Sequence, residues 1–149
     1  MTKLKIKTLS GYNDKPEILM HACFQLLVDF IEKEKPGKVI NWYHCKEYAK
    51  AWRQMLYLYR WWKVIVPNRE KIREDLFKGL DEPKFETEWK KIDKLDENGE
   101  NLLQYCPDRK KYKAYYDAID ELNRIEHLWE KEDQRNLLKL VSIRRYMWT

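Results

Sequence analysis

The chain has 149 residues and a formal net charge of +5, from 30 basic and 25 acidic side chains. Its length fits one domain, and a composition of 44% hydrophobic and 37% charged residues excludes a disordered chain. No run approaches the roughly 20 apolar residues that span a bilayer, and the mild positive charge permits nucleic acid as a partner without requiring it. Seven Trp and ten Tyr against four Gly and five Pro favour a mainly helical single-domain bundle.

The N-terminal residues predict a minor β element followed by a helix. Lysines alternate with apolar residues in "KLKIKTL" (3–9), which is typical of an edge strand. Residues 15–34 predict a helix with a wide apolar face, and its polar face holds His21, Gln25, Asp29 and Glu32. "VINWY" (39–43) suits either a second short strand or the entry to the next helix.

Residues 45–65 form the next predicted helix, and most of its circumference is apolar. The predicted core face consists of Trp52, Met55, Tyr59 and Trp62. We expect this face to pack against Leu26, Phe30 and an apolar stripe over residues 112–129. Trp61 lies on another face, where it covers a second helix, a partner chain or a ligand.

A narrow polar wedge on this helix is the main candidate site. Arg53 and Arg60 lie seven residues apart on the wedge, and Tyr57 lies at its border. Guanidinium groups bind carboxylates and phosphates bidentately and stack on aromatic rings. The wedge therefore forms either internal ion pairs, for example with Asp29 or Asp120, or a pocket for an anion or a nucleotide.

The second half of the chain predicts a long connector and two helices. Residues 81–107 are highly charged and suit a connector with one short helix and a turn at Asn98–Gly99. Residues 108–148 contain no Gly or Pro, but "EKEDQRN" (130–136) contains no apolar residue. One straight helix over this range would reach about 60 Å, whereas a compact domain of this size has a radius of gyration of about 15 Å. We therefore predict a helical hairpin that breaks near 130–136, within a single helical domain over 1–149.

The C-terminal "SIRRYMWT" brings Arg144 and Arg145 together with aromatic residues. This tail either docks onto the core, contacts nucleic acid or inserts into another subunit. The predicted ligand-binding residues are therefore Arg53, Tyr57, Arg60, Trp61, Arg144 and Arg145.

Patterns for catalysis or metal binding are not found in the sequence. His21 and Cys23 would point about 200° apart on a helix, so they cannot hold one ion together. The chain has neither a Gly-rich phosphate loop nor a nucleophile-elbow motif. A pair formed by Cys45 or Cys106 with His127 has no local support. We therefore expect no metal, no cofactor and no enzymatic activity.

The cysteines and the N-terminus indicate a reducing compartment. Three cysteines cannot all pair within one chain, and "MTKLKIKTLSGY" lacks the continuous apolar stretch of a secretory signal. We therefore expect a cytoplasmic protein without a membrane partner.

Three segments carry a resemblance to known proteins. "GYNDKPEILMHACFQLLVDFIEKE", "LYRWWKVIVPNR" and "KLVSIRRYMWT", about a third of the chain, resemble uncharacterised proteins encoded by tailed bacteriophages. The resemblance implies the cytoplasm of an infected bacterium, and a role in counter-defence, in host takeover or in the virion. We expect a non-enzymatic accessory protein that binds a host protein or a signalling nucleotide. The alternatives are a nucleic-acid-binding protein and a virion component, and a homo-oligomer is compatible with each.

Overall fold

The structure is a computed structural model that describes residues 4–11 and 13–147. In chain order its elements are α1 (Lys15–Asp29), a π-helical turn (Phe30–Glu34), α2 (Pro36–Val39), α3 (Lys46–Arg60), a second π-helical turn (Trp61–Ile65), α4 (Val66–Phe77), α5 (Phe85–Glu88), β1 (Trp89–Leu95), β2 (Asn101–Tyr105), α6 (Lys113–Ile143) and a 3-10 turn (Arg144–Met147). The predicted mainly α fold with a minor β element is confirmed. None of the helices in the described part of the chain is long and apolar enough to cross a membrane.

The chain divides into two compact units. The first comprises the residues up to Arg69 together with those from Leu128 onward, and the second comprises Glu70–His127. The first unit contains α1, α2, α3 and the C-terminal part of α6, and the second contains the sheet.

The core of the first unit is built from α1, α3, the π-helical turns and α6. Its buried residues are Phe24, Leu27, Val28, Phe30, Trp42, Met55, Leu58, Trp61, Trp62, Leu140 and Ile143. The core face predicted for residues 45–65 is confirmed, because Met55 of α3 and Trp62 of the following π-helical turn are buried and Trp52 and Tyr59 pack against the cluster. The prediction for Leu26 is wrong, since that side chain is 51% exposed. The last helix supplies Leu140 and Ile143, beyond the stripe that we predicted over 112–129.

The N-terminal segment does not form the predicted edge strand over residues 4–9, and Lys3 lies outside the described residues. An isolated strand would leave its backbone groups unpaired. Residues 39–43, for which we predicted either a second strand or the entry to the next helix, hold the end of α2 and a turn. The strands of the described residues are β1 and β2, and they pair with each other.

The same segment lies against the face of α1 that we predicted to be polar. The backbone N–H of Lys7 donates to Oε1 of Gln25 at 3.3 Å, and Thr8 Oγ1 lies 2.6 Å from His21 Nδ1. Gln25 is therefore buried, and its amide also donates to Asp29 at 2.9 Å. Burial is tolerated here because these contacts satisfy the amide.

In the second unit, β1 and β2 form a two-stranded antiparallel sheet in which Trp89 faces Tyr105. Gly99 adopts a positive φ of 79° at the turn, and Asp96 Oδ1 accepts from two backbone N–H groups there. The turn and the short helix predicted within 81–107 are confirmed. The strands were missed because lysines interrupt the apolar alternation in β1.

The predicted hairpin over 108–148 is wrong, because α6 is one continuous helix of 31 residues. The stretch 130–136 lacks apolar residues, but it does not lack tertiary contacts. Glu132 and Asp133 both lie 2.7 Å from the guanidinium of Arg69, and Asn136 is buried. Polar contacts therefore hold the helix where we expected a break.

Candidate anion-binding site

A basic stripe runs along the exposed face of α3. Lys50, Arg53, Tyr57 and Arg60 recur at helical spacing, so their side chains share one face. All four are exposed, whereas Met55 and Leu58 bury the opposite face in the core. The amphipathic pattern that fixes α3 in the first unit therefore also presents this stripe to solvent.

A cavity of about 250 Å³ opens on this stripe. It is lined by Lys50, Arg53, Gln54, Tyr57 and Lys139. Lys139 comes from α6, and its Nζ lies 5.2 Å from the centre of the Tyr57 ring, which is a cation–π contact. Three cations from two helices thus converge on one cavity, and no carboxylate is among the described residues that line it.

Within the described part of the chain, no carboxylate forms an ion pair with the cations of this cavity. Neither Lys50 nor Arg53 makes an ion pair with any other described residue, and the same holds for Arg60. The ion pairs that we predicted for the wedge are wrong, because Asp29 pairs with Lys33 and Asp120 pairs with Arg109. Like charges that converge without neutralisation create a positive potential that attracts anions.

The structure brings only two of the predicted ligand-binding residues into this cavity, namely Arg53 and Tyr57. Arg60 shares their helix face but does not line the cavity. Arg144 donates to the carbonyl of Val141, and Arg145 donates to the Tyr146 hydroxyl, so both bond within their own turn.

Trp61 lies in the core rather than on an accessible face, with an exposed fraction of 2%. Its ring lies 5.5 Å from the guanidinium of Arg69, and the ring of Trp129 lies 5.2 Å from the same guanidinium. The ring also lies 5.2 Å from that of Phe24 in α1. Of the three predicted alternatives for Trp61, contact with a second helix is therefore confirmed, and the side chain does not line the cavity.

Arg69 is the buried cation of the first unit, and it was not singled out from the sequence. Only 6% of the residue is exposed, and its guanidinium donates to Glu132 at 2.7 Å. Asp133 Oδ1 lies equally close to Nη1, as an ionic contact without hydrogen-bond geometry. Burial raises the pKa of Asp133, and the neighbouring Arg69 charge only partly opposes this shift.

Unsatisfied polar atoms accompany Arg69. Trp61 Nε1, Arg69 Nε and both amide atoms of Asn136 are buried without a hydrogen-bond partner. Such atoms cost free energy unless water or a ligand satisfies them. Within residues 4–11 and 13–147, no three His, Cys, Asp or Glu side chains gather as a metal site.

The lining of the first cavity is suited to binding. Lysine and arginine groups hold anionic oxygens, the Gln54 amide can donate a further hydrogen bond, and the half-exposed Tyr57 ring offers a flat surface. No protein-family model, curated protein or solved structure matches this chain. The function is therefore inferred from the residues of the chain itself.

Proposed function

We propose that this protein is a non-enzymatic binding protein whose ligand is a phosphate-bearing anion, held in the cavity of Lys50, Arg53 and Lys139. The observation that carries this proposal is the convergence of three cations from α3 and α6 without a carboxylate among the lining residues. A site of this kind favours ligands with more than one negative charge. Phosphate groups meet that requirement better than a single carboxylate does.

The ring of Tyr57 supports a nucleotide over inorganic phosphate. Tyr57 lines the cavity and is 51% exposed, so a base can lie on it while the cations hold the phosphates. The cavity volume of about 250 Å³ is below the usual range for enclosed small-molecule sites, about 300–1,000 Å³. Part of the ligand therefore extends over the surface of α3.

The resemblance to phage proteins supplies the biological setting of this proposal. In an infected bacterium, a protein that captures a signalling nucleotide acts in counter-defence or host takeover. A host protein would reach the same cavity through an acidic or phosphorylated segment, because the cavity is cationic. The nucleotide is the ligand that uses both the cations and Tyr57.

The direct test is calorimetric titration with ATP, using inorganic phosphate as a second probe. We expect Lys50→Gln and Arg53→Gln to weaken ATP binding, and Lys139→Gln to do the same. Lys38→Gln removes the same charge from an exposed lysine of α2 outside the cavity, so it is the matched control and should bind like the wild type. Undiminished ATP binding by folded Arg53→Gln would contradict the proposal.

The affinity for inorganic phosphate distinguishes the contribution of the cations from that of the Tyr57 ring. We expect it to bind more weakly than ATP and to lose affinity in Arg53→Gln but not in Tyr57→Ala. If Tyr57→Ala leaves the ATP affinity unchanged as well, the ring does not contact the base, and the ligand is a phosphate group without a stacking partner.

A further inference from the structure

A second cavity opens in the first unit, beside the π-helical turn that follows α3. Its volume is about 640 Å³, and it is lined by Ile65, Leu128, Trp129, Lys131, Glu132 and Arg135. Lys131 and Arg135 are exposed, and neither makes an ion pair with another residue of the described chain. This cavity thus repeats the combination of an aromatic ring with unpaired cations.

The two cavities lie along the same two stretches of chain, namely α3 with the π-helical turn that follows it, and α6. The first joins Tyr57 to Lys139, and the second joins Ile65 to Lys131. Ile65 follows Tyr57 by eight residues, whereas Lys131 precedes Lys139 by eight residues. The two stretches are therefore antiparallel neighbours, and at about 1.5 Å per residue the cavities are about 12 Å apart.

The combined lining is strongly cationic. It contains Lys50, Arg53, Lys131, Arg135 and Lys139 against a single described carboxylate, that of Glu132. Glu132 is already engaged, because its Oε2 accepts from Arg69 at 2.7 Å. The buried arginine thus neutralises the carboxylate that would otherwise repel an anion at the second cavity.

We propose that the two cavities are successive parts of one binding track for single-stranded nucleic acid, an inference that rests on the proposed phosphate-binding role of the first cavity. Proteins that bind single strands combine a basic groove along the backbone with rings on which bases stack. Here Lys50, Arg53 and Lys139 contact phosphates beside Tyr57. Lys131 and Arg135 contact phosphates beside Trp129.

The position of Trp129 is fixed before a strand binds. The Arg69 guanidinium lies 5.2 Å from its ring and is itself held by Glu132 and Asp133. A ring held in this way loses little conformational freedom when a base stacks on it. The buried ion pairs of Arg69 therefore hold the Trp129 ring of the track in place.

The dimensions of the track set the expected site size. From Lys50 to Ile65 it extends about 22 Å along the helix axis. A stacked single strand advances about 3.4 Å per nucleotide. The track therefore accommodates about six nucleotides, within the range known for single-strand binding folds.

The test is fluorescence anisotropy with a ladder of labelled oligodeoxyadenylates from two to twelve nucleotides, with ATP as the mononucleotide. We expect the affinity to rise with length up to about six nucleotides. The double variant Lys131→Gln, Arg135→Gln should bind the longer oligonucleotides more weakly and bind ATP unchanged. Its plot of log affinity against log salt concentration should be shallower by about 1.4, since each single-strand phosphate contact contributes roughly 0.7.

A charge-matched double variant separates local contacts from net charge. Lys38→Gln, Lys71→Gln removes two exposed lysines outside both cavities, and neither pairs with a described residue. We expect its salt dependence to match that of the wild type. Tyr57→Phe should keep the oligonucleotide affinity, whereas Tyr57→Ala should lower it about fivefold or more.

Three results would overturn the track, and they are distinguishable. If oligonucleotides bind no more tightly than ATP and Lys131→Gln, Arg135→Gln changes nothing, the track is wrong while the phosphate role of the first cavity stands. If neither ATP nor any oligonucleotide binds the wild type, both proposals fall. If a duplex of the same sequence binds as tightly as the single strand, the inference of single-strand binding is overturned.

Discussion

Two arginines of the first unit, Arg53 and Arg69, show how the same side chain takes opposite roles. Arg53 is exposed on α3, lies among other cations and pairs with no described residue. Arg69 is buried, lies 5.5 Å and 5.2 Å from the centres of two indole rings, and contacts two carboxylates. A buried charge is tolerated only when it is paired, whereas an exposed unpaired charge is available to a ligand. Arg69 therefore has a structural role, whereas Arg53 is the arginine to which we attribute the proposed binding.

The largest expected effect lies in the core beneath these arginines. Trp62, in the π-helical turn after α3, is buried and stacks on Phe24 at 4.6 Å, whereas Tyr57 is half-exposed on α3. Trp62→Ala should lower the free energy of unfolding by about 3–5 kcal/mol, because truncating a buried ring leaves a cavity. Tyr57→Ala should change it by less than about 1 kcal/mol. Urea denaturation measures both free energies of unfolding. If the two variants lose a similar amount, the buried and exposed faces of residues 46–65 are misassigned.

The next effect concerns the buried arginine. Arg69→Met should destabilise the protein by roughly 3 kcal/mol, since it leaves Glu132 and Asp133 without their cation. Its counterpart Arg53→Met should remain within about 0.5 kcal/mol of the wild type. Chemical denaturation of the two variants side by side checks this difference. If the two variants are equally stable, Arg69 does not have the structural role that distinguishes it from Arg53.

A pH series tests the electrostatics of the buried cluster. Burial raises the pKa of Asp133 in the folded protein, so its protonated form contributes stability at low pH that is lost as pH rises through the folded pKa. Asp133→Asn removes this loss. Wild-type stability should therefore fall relative to Asp133→Asn between about pH 4 and neutral pH. The opposite trend would show that pairing with Arg69 outweighs burial.

The smallest expected change in stability belongs to the exposed wedge. The double variant Arg53→Ala, Arg60→Ala should unfold within about 0.5 kcal/mol of the wild type, because both side chains are exposed and neither pairs with a described residue. Thermal melting monitored by circular dichroism is sufficient. If the free energy of unfolding falls by several kcal/mol, these arginines stabilise the fold instead.

Local periodicity was enough to predict the helix face on which Arg53 lies. Arg53 and Tyr57 lie on one face of one helix, and a spacing of four residues reveals that face directly. Lys139 completes the cavity from a distant part of the chain, so no local pattern relates it to Arg53. The sequence therefore predicted the cationic face and one wall of the cavity.

The burial of Arg69 could not be predicted, because it depends on contacts between distant parts of the chain. Arg69 and Glu132 are 63 residues apart, and each lies in a polar stretch that is typical of a solvated surface. Without that ion pair, residues 130–136 suggested a helix break, although they form part of a continuous helix. Trp61 begins a π-helical turn, which a pattern of 3.6-residue periodicity does not predict.

The most direct measurement is NMR of the arginine side-chain Nε–H resonances during titration with ATP. The resonance of Arg53 should shift as its guanidinium takes up a phosphate, with a dependence on ATP concentration that matches the calorimetric affinity. The resonance of Arg69 should remain in place, because its guanidinium is already held by Glu132 and Asp133. An unmoved Arg53 resonance at saturating ATP would contradict the assignment of phosphate binding to this cavity.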